Sequence, residues 1–119
     1  MSRVIALTLA AVGLAASTLS AHHSYALFDR EHPVSVEGEI ERVVFANPHV
    51  IVSMRTGEAS YSVEWGNLNQ MVRWNITRDT LHVGDHIVVT AAPTHDPADR
   101  RLSLVTEMRR PVDGWRWSR

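Results

Sequence analysis

The sequence predicts a mainly β domain: a small five-stranded barrel with one short helix between strands three and four. Three observations predict it. Apolar and polar residues alternate from Val34 onward, the signature of a half-buried strand. Turn-forming residues punctuate the chain at Asn47-Pro48, Gly57, Gly66, Gly84 and Pro93. One stretch, Asn67 to Trp74, carries apolar residues at helical rather than strand spacing, and Thr77 to Leu81 offers at most a further helical turn.

The first strand runs from Val34 to Phe45. Val34, Val36, Gly38, Ile40 and Arg42 share one face, and Ser35, Glu37, Glu39 and Glu41 share the other, so the Glu row is the solvated one. Gly38 within it predicts a bulge or a sharp bend that lets a long strand curl. Pro48 has no amide hydrogen for a ladder and Asn47 turns readily, so Ala46 to His49 is a turn. The second strand runs from His49 to Met54, and Arg55-Thr56-Gly57-Glu58 is its hairpin turn. The third runs from Ala59 to Trp65, with Tyr61, Val63 and Trp65 on the core face and Glu64 facing away. Asn67 is the expected N-cap of the helix, whose apolar stripe is Leu68, Met71, Val72 and Trp74. Leu81-His82-Val83-Gly84-Asp85 turns the chain into a fourth strand, His86 to Ala92, and Leu102 to Met108 is the fifth.

Three strands, a helix and two strands is the order of an OB-type barrel, and closure hides strand edges in a chain with no disulfide. The organisation expected is a signal peptide over 1–21, an N-terminal arm over 22–33, the barrel over 34–110 and a tail over 111–119. In the arm, Tyr25, Leu27 and Phe28 are the candidate anchors, and Asp29 with Arg30 reads as an ion pair or cap. In the tail, Trp115 and Trp117 alternate with Arg116; the preferred reading folds them back over the barrel, and the rival one presents them to a sugar or a partner.

The first residues explain the expected destination. Arg3, an apolar run from Val4 to Ala16 and small residues through Ser20 form a secretory signal, too short and Ala-rich for a membrane span. The protein is therefore expected in the periplasm or outside the cell, with no membrane span after the signal is removed. The whole chain has a net charge of −1, no Lys and no Cys. That balance argues against a nucleic-acid partner, which needs a basic stripe. It also excludes thiolate metal sites and a Cys nucleophile. No nucleophile–base–acid set, phosphate loop or zinc-protease helix is present, so the protein reads as a non-enzyme.

Cleavage near Ala21 leaves a free amine beside His22 and His23. If His22 comes first, its amine and imidazole form a bidentate chelate. If Ala21 comes first, the position-three imidazole joins the amine and two deprotonated amides. Both give tetragonal nitrogen sets suited to Cu(II) or Ni(II). The cleavage rule leaves both starts open. His49, at the barrel mouth, is the expected third metal ligand; otherwise its ring braces the turn. Glu64 is either solvated or an orienting carboxylate beside a His. His82, His86 and His95 read as surface residues, and Met54, Met71 and Met108 as core filler.

His22-His23-Ser24-Tyr25, Phe28-Asp29, Pro33, Gly38, Asn47-Pro48-His49, Glu64-Trp65 and Leu81-x-x-Gly84-Asp85 together resemble the exported bacterial family called domain of unknown function 6152. The resemblance implies a small exported OB-like domain and no activity. Trp115-Arg116-Trp117 departs from that pattern. The expected function is thus an exported periplasmic OB-like binding module with Cu(II) at His22, His23 and His49. The alternative is a cell-envelope interaction module for a protein or glycan without metal. A copper oxidase is the more distant rival, and the oligomeric state stays open.

Overall fold

A computed structural model describes residues 25–119. Alternation does what the sequence implies in the first strand. β1 (Val34–Val44) buries Val36, Gly38 and Ile40 and exposes Ser35, Glu37 and Glu39. β2 (Ile51–Thr56) and β3 (Ala59–Glu64) follow as an antiparallel hairpin, paired from Ile51↔Glu64 to Thr56↔Ala59. The short helix α1 (Leu68–Arg73) comes next, then β4 (His86–Pro93), β5 (Arg101–Arg110) and β6 (Trp115–Ser118).

The sheet order is β3-β2-β1-β4-β5-β6, and β3 also pairs with β5. That extra pairing closes β1 to β5 into a five-stranded barrel. Its interior is filled by Ile40, Val50, Val52, Met54, Val63, Ile87, Val89, Leu102 and Met108, all at or below 1% exposure. Each such side chain contributes roughly 1.5–3 kcal/mol by leaving water. Met54, Met71 and Met108 are core residues, as their sequence positions imply.

Two devices curl β1. The β-bulge lies between Ile40 and Arg42, where the β2 register shifts, and not at Gly38. Glu41 is the extra residue, and it pairs with Arg55 and accepts from Ser60 Oγ at 3.1 Å. Gly38 serves close approach: a Cβ there would stand 2.1 Å from the Arg55 carbonyl oxygen. The close approach and the bulge are thus separate features three residues apart.

The Leu81–Asp85 turn docks on the middle of β1. Ile40 N donates to Asp85 O at 2.8 Å and Gly84 N to Ile40 O at 2.9 Å. Gly84 adopts φ +92°, which a side chain would resist. Arg110, only 15% exposed, donates to Asp85 Oδ2 (2.9 Å) and Thr80 O (2.7 Å), pairs with Asp113 (2.9 Å), and stacks on the Trp115 ring at 5.5 Å. One guanidinium therefore ties the β4 approach to the β5–β6 hairpin.

The tail folds back as β6. It pairs antiparallel with the end of β5, from Glu107↔Ser118 to Arg110↔Trp115. Trp117 is buried in the core and Trp115 is half-buried against it. Among the described residues of the arm only Phe28 is buried; it bridges Thr94, while Tyr25 and Leu27 remain about half exposed. Asp29 pairs with His32 Nδ1 at 3.0 Å and caps the Glu31 and His32 amides, and Arg30 stacks on Tyr25 instead. Among the described residues no helix is long and apolar enough to cross a membrane.

Candidate functional site

The barrel wall is uneven. β5 uses one edge for β4 and divides its other edge among neighbours. β3 takes the start, at Ser62↔Arg101 and Val63↔Leu102. β6 takes the end, from Glu107 to Arg110. Between them, Ser103 to Val105 pair with no strand on that side among the described residues, and Thr106 O accepts from Arg119 N at 3.0 Å just past the end of β6. The β4 register also slips here, from Thr90↔Glu107 to Ala92↔Ser103, so β5 bulges. Leu104 adopts φ +53°, a left-handed conformation that costs a branched side chain about 1–2 kcal/mol.

A cleft of about 490 Å³ opens along this interrupted seam, within the size range of ordinary ligand sites. Its floor is Ser103 to Thr106 of β5. One wall is Glu64 at the end of β3 with Trp65 and Gly66 just after it, and Gln70 and Trp74 of the helical segment. Tyr25, Arg30 and Pro33 of the arm form another side, and His49 and Arg119 complete it.

Local chemistry places these groups. Asn67 caps α1 by accepting from Gln70 N at 2.8 Å, while Gln70 Oε1 accepts from Asn67 N at 2.9 Å, a reciprocal capping box. Asn47 Oδ1 accepts from Leu68 N at 2.9 Å, so the turn before His49 is tied to the helix start. Val50 N donates to Gly66 O and Trp65 N to Val50 O, both at 2.8 Å, which fixes His49 beside the Glu64–Gly66 wall. Trp74 closes the helix as its C-cap.

Three indoles back the cleft. Trp65 stacks near Trp74 at 6.3 Å between centroids, Trp117 meets Trp65 edge-on at 5.2 Å, and Trp74 and Trp117 lie 4.7 Å apart. Such pairs add about 0.5–1.5 kcal/mol each beyond burial. The Trp65 Nε1 donor is buried with no acceptor among the described residues.

The expected site residues divide sharply. His22 and His23 lie outside the described residues. His49 lines the cleft, half-buried, and its ring makes no hydrogen bond among the described residues. Glu64 faces away from the Val63 side, as the alternation implies, yet it reaches the cleft wall. No three His or carboxylate groups cluster to hold a metal among the described residues. His82, His86 and His95 are exposed; His86 bonds Glu37 at 2.8 Å. Sequence reading missed Arg30, Gln70, Trp74, Arg119 and the Ser103–Thr106 floor as one site.

The model of a family described as "Family of unknown function (DUF6152)" matches residues 8–102. That covers most of the sequence. The chain belongs to this family. No curated protein matches the chain. The DUF6152 match ends at Leu102, so the Leu104 bulge, β6 and Arg119 lie beyond it. Within this DUF6152 member, the matched part supplies the arm, His49, Glu64, Trp65 and Trp74 to the cleft, and the remaining segment supplies the floor.

Proposed function

We propose that this protein is an exported, non-enzymatic binding domain that captures Cu(II) at its processed N-terminus, with His49 as the closing ligand. The signal-like leader supports export to the periplasm or beyond. The observation that carries the metal reading is that Tyr25 and His49 line one cleft. Tyr25 follows His22-His23-Ser24 directly. An extended chain spans at most about 3.6 Å per residue, so His23 has a reach of about 7 Å from Tyr25. A free amine and an imidazole on that tether, with the His49 ring in the cleft and unbonded among the described residues, would supply the nitrogen donors of a tetragonal Cu(II) site. Glu64 lines the same cleft, and a carboxylate there supports the reading because such groups commonly orient ligating imidazoles. The ligands must be unprotonated, so acid releases the metal.

Intact-mass measurement of the exported protein with and without Cu(II) reads the first residue and the stoichiometry together. The expected result is a chain starting at Ala21 or His22 that holds stoichiometric Cu(II). His22→Ala/His23→Ala should abolish tight binding, and His49→Ala should weaken it while leaving a bound ion with altered electron paramagnetic parameters. Tight Cu(II) binding retained in the double variant, or a mature chain beginning elsewhere, overturns the reading.

A further inference from the structure

The cleft holds more than one imidazole needs. We infer that it is also a binding site for a small ring-bearing carboxylate, held by Arg30 and stacked against the Trp74–Trp65 wall. The charges point that way. Five arginines on this surface are paired with carboxylates, Arg55 with Glu41, Arg101 with Asp99, Arg109 and Arg116 with Glu107, and Arg110 with Asp85 and Asp113, whereas the two that line the cleft, Arg30 and Arg119, are in no such pair among the described residues. Arg30 has no carboxylate within ion-pair distance among the described residues, and it lines the cleft. It is held over the Tyr25 ring at 5.6 Å. This stacking orients the guanidinium without consuming its donors, the condition for bidentate carboxylate capture.

The walls supply the second half of the recognition. Trp65 and Trp74 present indole surface to a cleft large enough for a single ring with substituents. Trp117 braces both from behind, so stacking costs little reorganisation. Leu104 is held in a left-handed conformation in the floor, and backbone strain of this kind gathers at ligand sites. Arg119 adds a second guanidinium at the rim. Glu64 is the acidic side chain in the lining among the described residues, so the ligand's carboxylate belongs at the Arg30 side, away from it.

This site shares the cleft with the proposed copper ligand His49 but needs no metal, and the test separates the two. Metal-stripped full-length protein in the presence of a chelator is titrated with benzoate, galacturonate, benzyl alcohol and galactose, following tryptophan emission. The two acids share a carboxylate beside a ring, and the arms distinguish an aromatic from a sugar source. Saturable quenching by at least one acid, with neither neutral compound binding, is expected. Arg30→Ala should weaken that acid about tenfold or more, the effect of losing a charged hydrogen bond. Arg116→Ala, in a surface pair away from the cleft, and His22→Ala/His23→Ala should leave it unchanged. Equal binding of acids and neutral analogues, no saturation by either acid, or full affinity in a folded Arg30→Ala variant overturns the inference.

Discussion

The β1–β4 seam and the β3–β5 seam close the same barrel by different means. The first is a continuous ladder from Val34↔Ala91 to Glu39↔His86. The second holds only at Ser62↔Arg101 and Val63↔Leu102 before the strands part. Backbone hydrogen bonds seal one side; indole rings and a returning strand seal the other. A ladder satisfies every amide in a fixed geometry and leaves no room for a ligand. Side chains fill a gap more loosely and can leave a cleft beside them. The functional candidate therefore sits where the ladder fails.

The largest expected effect tests the indole side. Trp117→Ala removes the ring that meets both Trp65 and Trp74 and should cost about 3–5 kcal/mol in denaturant unfolding. A loss below about 1 kcal/mol would show that β6 is an ornament and the seam closes without it. On the ladder side, Gly38→Ala forces a methyl against the Arg55 carbonyl at 2.1 Å. It should cost about 3 kcal/mol, because only separation of β1 from β2 relieves the contact. A neutral result there would mean that the laddered side is as compliant as the open one.

Leu104→Gly should be much milder. Release of the left-handed strain offsets the lost leucine burial and the entropy of glycine, and the net change should stay within about 1 kcal/mol. The same variant should alter carboxylate binding more than it alters Tm, if the strained floor belongs to the site. A large destabilisation would make Leu104 a packing residue.

Acid provides the smallest effect. The Arg110 guanidinium, with the Trp115 amide, holds the Asp113 carboxyl below its ordinary value of 3.8. The Arg101 guanidinium does the same for Asp99 at the start of β5. A lowered folded value stabilises the fold fully above 3.8 and loses that contribution as pH falls through the folded values. Each pair keeps one well-exposed partner, Asp113 in one and Arg101 in the other, so water screens them. Thermal unfolding followed from about pH 5 to pH 2 should show a shallow decline, and Asp113→Asn should flatten part of it. An unchanged slope in that variant would remove the β5–β6 corner from the acid response.

Much of this was legible in the chain. The β1 alternation, the Arg55–Glu58 hairpin turn, the Asn67 cap and the Leu81–Asp85 turn are local patterns, set by residues within a few positions of each other. Gly38 was visible as a special position, but its purpose was not: a close approach depends on Arg55, which only pairing brings near. Glu41 gave no sign of the bulge, since a Glu in a Glu row looks like one more solvated side chain. Leu104 was opaque for a stronger reason. Its propensity opposes the conformation it adopts, and tertiary constraint decides the outcome. His49 was placed at the barrel mouth by its turn, whereas Arg30, Trp74 and Arg119 come from distant segments with no shared motif.

By itself, then, the sequence determined the order of the first five strands and the helix, the buried face of most of those strands, and a His pair that follows an apolar N-terminal stretch. Those properties follow from hydrophobic period, turn chemistry and composition, which are written residue by residue. The tertiary structure alone decided that β5 shares one edge between β3 and β6, that three indoles fill the space between, and that a cleft remains in front of them. Such features arise from which segments meet after the chain closes, and the strain at Leu104 persists only because the closed barrel holds it.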